Sequence, residues 1–123
     1  MDIEYESRGV RFRWNEDKAK LNAEKHGVSF EQAAQIFFDP FLRYFDASRD
    51  GEQRDGAVGS DFNFRVLFVV HLVVEDEYIR IISARKAQPN ERKRYEDGDD
   101  QEAAGEKSSD GVRYAAYARR RDH

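Results

Sequence analysis

Between Tyr78 and Tyr95 the chain carries Arg80, Arg85, Lys86, Arg92, Lys93 and Arg94, and the single acid among them is Glu91. A guanidinium is a planar fork that holds two phosphate oxygens at once, so such a cluster suits a phosphate-rich partner. A solvated surface is the commoner use of a charge run. Arg85 ends an apolar run at residues 78–84, which would hold it on a rigid element at a sheet margin. Arg80 interrupts that run, where a charge needs either a reason or a solvent-facing position. His71 stands inside Leu67-Phe-Val-Val-His-Leu-Val-Val74. Histidine is the natural acid–base group near neutral pH, but on an apolar strand it is more often a hydrogen-bonded core residue. His26 precedes Gly27 and reads as a helix-end cation favoured by the macrodipole.

Other chemistries find little support. There is no cysteine, hence no disulfide framework and no thiolate site. His26, His71 and His123 lack ligand spacing, so no metal is expected. Neither a glycine-rich phosphate loop nor a nucleophile elbow is present, and no cofactor is expected. The formal net charge is −4, yet it is unevenly placed: residues 96–110 hold seven acids against Lys107 alone. Local field matters more than net charge, so the acidic balance does not exclude a nucleic-acid partner. The N-terminus has no leader pattern, and the longest apolar run falls short of the ~20 residues a membrane helix needs. A soluble, cytoplasmic protein with no membrane partner is the expectation.

The elements that must position these residues follow from pattern. Residues 9–14 alternate and predict a first strand. Asn15 is an N-cap, Glu16 and Asp17 fill a first helical turn, and Gly27 is the stop. Ser29-Phe-Glu-Gln32 is a capping box that opens a second helix, closed by Asp39-Pro40. Residues 41–45 and 54–58 predict short strands. Residues 64–74 predict the strongest strand, apolar on both faces and therefore central. Residues 75–77 form a turn into a strand at 78–85. A two-residue turn sets His71 opposite Arg80, and a three-residue turn shifts the register. Pro89 starts a last helix reaching Tyr95 or slightly further. The fold class is α+β: a central antiparallel sheet, two N-terminal helices on one face and a short C-terminal helix. Residues 1–96 form one domain, and 97–123 form an acidic, flexible tail with a possible short helix at 112–121.

Two stretches resemble the BrnT toxins of bacterial type II toxin–antitoxin systems. The first is Phe12-Arg-Trp-Asn-Glu-Asp-Lys18, continuing to Glu24-Lys-His-Gly-Val-Ser-Phe-Glu-Gln-Ala33. The second is Ile79-Arg-Ile-Ile-Ser-Ala-Arg-Lys-Ala87 with Glu91-Arg92 and Tyr95-Glu96. The resemblance spans roughly residues 10–96 and implies a RelE-like fold, endoribonuclease activity and translation inhibition. It also implies neutralisation by a BrnA-like antitoxin, which alone would reach operator DNA. It adds Arg54 to the candidate site. Asp55 follows Arg54 where the family often has tryptophan or another apolar residue. The expected reaction needs a base for the 2′-hydroxyl, cations for the phosphorane and an acid for the leaving 5′-oxygen. Arg85, Arg80 and Arg54 are the cation candidates, His71 and Tyr95 the proton-transfer candidates. Tyr95 equally suits stacking on a base or packing the last helix on the sheet. Lys86, Arg92, Lys93 and Arg94 are expected to contact RNA phosphates. Without a metal, the 2′-hydroxyl is the easier nucleophile, giving cleavage of RNA but not DNA. The alternatives are a non-catalytic module of the same fold acting as antitoxin partner and corepressor, and an RNA-binding protein without toxicity. The acidic tail, tethered next to Arg92–Arg94, is in a position to compete with RNA phosphates or to play no role.

Overall fold

The computed structural model describes residues 1–98. The tail expected at 97–123 lies outside them, apart from Asp97 and Gly98. Six strands form one sheet in the order β1-β2-β6-β5-β4-β3. They are β1 (Asp2–Ser7), β2 (Val10–Asn15), β3 (Arg43–Asp46), β4 (Asp55–Ser60), β5 (Val66–Val74) and β6 (Tyr78–Lys86). The helices are α1 (Glu16–His26), α2 (Phe30–Gln35) and α3 (Pro89–Asp97), with a 3-10 turn at Ile36–Phe38.

Local signals set most element ends. Asn15 Oδ1 accepts from the Lys18 N–H at 3.0 Å, so β2 passes directly into α1. Gly27 stops α1 at φ 68°, where its N–H donates to Ala23 O. Ser29 and Gln32 complete both bonds of the capping box at 3.0 and 2.9 Å. At the start of α3 the Glu91 carboxylate accepts from the Gln88 N–H at 2.8 Å.

The sheet departs from the sequence expectation in two ways. It is mixed rather than antiparallel, because β2 pairs with β6 in parallel at Phe12↔Ile79 and Arg13↔Arg80. The chain leaves β2 through two helices and three strands before returning, and so long a crossover permits a parallel approach. It also gains an edge strand, β1, which alternates acids with Ile3 and Tyr5 and pairs along its whole length with β2. Charged edges of this kind discourage further strand pairing. The strand expected at 64–74 begins at Val66 instead. Phe64 sits at φ 65° in a turn organised by buried Asp61, which accepts from the N–H groups of Asn63 and Arg65.

Each face of the sheet carries its own cluster. Phe12, Trp14, Leu67, Val69, Ile79 and Ile81 meet Phe30, Ala33 and Ala34 of α2 and Ile36 and Phe37 of the 3-10 turn. Phe45, Val58 and Val66 make a smaller cluster packed by Phe68 and by Tyr95 of α3. Helix α1 borders the first cluster through Ala19. Its buried Asn22 supplies what a strand would supply to β6. The Asn22 amide donates to Ala84 O at 2.8 Å and accepts from the Ala84 N–H at 3.1 Å. The β2 pairing reaches only Ile79 and Arg80, so this amide serves the stretch of β6 edge beyond it.

Candidate functional site

A cleft of about 500 Å³ opens on the sheet surface beside α3. Phe68 and Val70 of β5 and Ser83 and Arg85 of β6 line it. The β3–β4 connection contributes Ser48, Arg49 and Arg54, and α3 contributes Glu91. His26, the last residue of α1, completes the lining. Helix α1 reaches the cleft because Asn22, one turn earlier, is bonded to the β6 edge at Ala84.

Arg85 is the most engaged cation of the cleft. Its Nη1 and Nη2 donate to the two Glu91 carboxylate oxygens at 2.8 and 2.9 Å. Its guanidinium lies 4.6 Å from the Phe68 ring centre. The hydrogen-bonded Glu91 holds the Arg85 pKa above its ordinary value. Arg54 bonds Glu52 at 2.7 Å, and its backbone N–H is held by Ser48 Oγ at 3.1 Å. The two arginines come from different elements and line the same cleft, whose lining includes the Phe68 ring. Ser48, Ser83 and His26 add neutral or titratable donors to the same cleft.

Other residues singled out in the sequence stand elsewhere. Arg80 binds Asp2 of β1 at 3.0 and 3.2 Å and does not line the cleft. That hydrogen bond raises the Arg80 pKa and lowers that of Asp2. His71 is fully buried in the core, edge-on to Phe37 with ring centres 4.8 Å apart. Burial pushes its pKa down to about 4, so the neutral imidazole is the native form. The β5–β6 turn takes three residues, and a bulge follows at Val70/His71. His71 therefore stands opposite Ile81, and Leu72 faces Arg80. Tyr95 donates its O–H to Asp39 at 2.5 Å and packs on the Phe45 cluster, an anchor for α3 outside the cleft lining. Desolvation and Asp39 push its pKa up to about 12. Lys86, Arg92, Lys93 and Arg94 do not line the cleft either. Arg92 and Lys93 pair with Glu96 and Asp97 along α3, and Arg94 lies over the Phe45 ring.

Sequence reasoning passed over His26, Ser48, Arg49, Ser83 and Glu91 as site residues. Glu91 had a signal as the lone acid in a basic stretch. His26 had none that local pattern reveals, because long-range contacts such as Asn22–Ala84 bring the end of α1 to the cleft. Among the described residues no group of three or more His, Asp and Glu side chains is arranged to hold a metal ion.

The family model for the BrnT ribonuclease toxin of type II toxin–antitoxin systems matches residues 14–91. The chain belongs to the BrnT ribonuclease toxin family. It is also similar to the crystal structure of the Brucella abortus ribonuclease toxin BrnT, at 28% identity and a TM-score of 0.51. That match covers 61% of this chain and 92% of the Brucella one. The comparison with curated proteins finds no match. Every cleft residue, from His26 to Glu91, lies inside the span matched by the BrnT model. Arg92, Lys93, Arg94 and Tyr95 follow immediately after it.

Proposed function

We propose that this cleft is where the chain cleaves RNA, in the manner of a RelE-like endoribonuclease that stops translation. The observation that carries the reading is that Arg54 and Arg85, from separate elements, line one cleft in which Arg85 lies over Phe68. Two guanidinium groups suit a phosphate that gains charge in the transition state, and an aromatic floor suits a nucleobase. The donors around them favour a metal-independent route, with the 2′-hydroxyl attacking the adjacent phosphate and leaving a 2′,3′-cyclic phosphate and a 5′-hydroxyl. Lys86 and Arg92, Lys93 and Arg94 of α3 would hold flanking phosphates, and Arg80 would brace the sheet through Asp2. Membership of a type II family supports a protein antitoxin as partner. We assign it to the BrnA-like class, with operator DNA reached only through it, in the cytoplasm.

The second reading is a non-catalytic partner and corepressor of the same fold. It is favoured by the occupation of both Arg85 terminal nitrogens by Glu91, which leaves the fork closed to phosphate in this state. One assay separates the two. An RNA oligonucleotide with a single 2′-O-methyl group at the cleavage position is incubated with the protein, with and without EDTA, beside the unmodified RNA. Cleavage of the unmodified RNA alone, unaffected by EDTA, is expected. No cleavage of either selects the binding module, and cleavage of the blocked RNA or loss of activity in EDTA overturns the route.

A further inference from the structure

We propose that His26 is the catalytic acid of the cleft and that Glu91 is the base that pairs with it. The inference rests on the cleavage reading above and assigns the two proton transfers that reading leaves open. The reaction needs two such groups at one phosphate. His71 is sealed in the core, and the Tyr95 hydroxyl is committed to Asp39. His26 and Glu91 are acid–base groups that line the cleft together with Arg54 and Arg85. Asp46 also lines it, but its carboxylate caps the Ser48 N–H at 2.9 Å in its own loop.

Both groups are held in place. The Asn22 amide bonds Ala84, one turn before His26, and the Gly27 N–H closes the helix on Ala23. Arg65 Nη1 reaches Gly27 O at 3.4 Å. The half-buried His26 thus has its backbone fixed at the margin of the cleft that it lines. Glu91 accepts two N–H bonds from Arg85 and one from the Gln88 N–H. An entering phosphate competes for the Arg85 fork and releases the Glu91 oxygens toward the ribose.

The step balances as follows. The 2′-O–H bond breaks and its proton passes to the Glu91 carboxylate. The 2′-oxygen forms a bond to phosphorus, the bond from phosphorus to the 5′-oxygen breaks, and that oxygen takes the proton of the His26 imidazolium. Proton exchange with water resets both groups.

The test compares two RNA substrates, one natural and one with sulfur in place of the bridging 5′-oxygen at the scissile phosphate. Sulfur leaves as a thiolate and needs no proton. His26→Ala and His26→Gln should lose about 10²–10⁴ in kcat on the oxygen substrate and regain a near-parental rate on the sulfur substrate. Glu91→Gln should be slow on both, because attack by the 2′-hydroxyl needs a base in either case. Circular dichroism confirms that each variant is folded. Parental cleavage of the oxygen substrate by both His26 variants overturns the assignment, as does an equal loss on the two substrates. A parent protein that cleaves neither substrate defeats the cleavage reading itself, and a parent active on both with the His26 pattern absent defeats only this assignment.

Discussion

Arg85 and Arg80 have the same residue type on the same strand, and their surroundings separate them. One shares a cleft with Arg54, Glu91 and Phe68, and the other is clamped to Asp2 at the β1 side of the sheet. Arg85→Ala should therefore lose about 10²–10³ in kcat, the usual cost of one transition-state donor. Arg80→Ala should keep the parental rate and show only a small fall in melting temperature, since exposed ion pairs contribute little. Single-turnover cleavage and thermal unfolding of the two variants check the contrast. His71 carries a different expectation. Its pKa is near 6.5 in an unfolded chain and about 4 in the fold. Between those values the unfolded chain binds the extra proton, so this residue destabilises the fold as pH falls from 6.5 toward 4. The contribution, present in full above 6.5, amounts to about 3 kcal/mol. Urea unfolding at pH 7 and pH 4.5 should show this slope in the parent and a flatter one in His71→Leu.

At the scale of elements, the sequence was legible wherever a cap or a period is local. Asn15, Gly27, the Ser29 box and Pro89 mark helix ends that the structure places within a residue or two. The β5–β6 hairpin was legible as well, with its register left open between two turn lengths until Val74↔Tyr78 settled it. Two elements were not. Strand β1 hides because Asp2, Glu4 and Glu6 give it the composition of a solvated end, and only pairing with β2 makes it a strand. The parallel β2–β6 contact hides because no local signal encodes a partner so distant in the chain. The cleft lining followed the same division: family resemblance and strand position singled out Arg54 and Arg85, and no local pattern singled out His26. The Asn22 amide is one of the contacts that hold it, which sets an expectation for α1. Asn22→Ala leaves the Ala84 N–H and C=O without this partner and should cost about 1–3 kcal/mol. It should also depress kcat more than KM by loosening the His26 wall. Calorimetry and steady-state cleavage on the same preparation measure both effects.

The described residues form a small sheet with clusters on both faces and a cleft lined by Arg49, Arg54 and Arg85 beside Asp46 and Glu91, within a chain of net charge −4. Field is thus local, and binding of RNA should weaken steeply with salt despite the acidic total. Membership of a type II toxin family predicts behaviour in cells. Induced expression of the chain alone should arrest growth and deplete intact RNA, and co-expression of the neighbouring small gene product should restore both. Growth without arrest, with RNA intact, counts for the corepressor reading. The bond between Asn22 and Ala84 closes a span of 62 residues and has a consequence for how the molecule comes into being. Contacts so distant in sequence form only after the intervening chain is ordered, and their loop-closure entropy slows folding. During synthesis α1 leaves the ribosome before β6 and α3. Arg85, Glu91 and the anchor for His26 are thus missing from every nascent chain that has not yet released its final strand. On the cleavage reading, a nascent chain has no assembled site until β6 and α3 have emerged and packed.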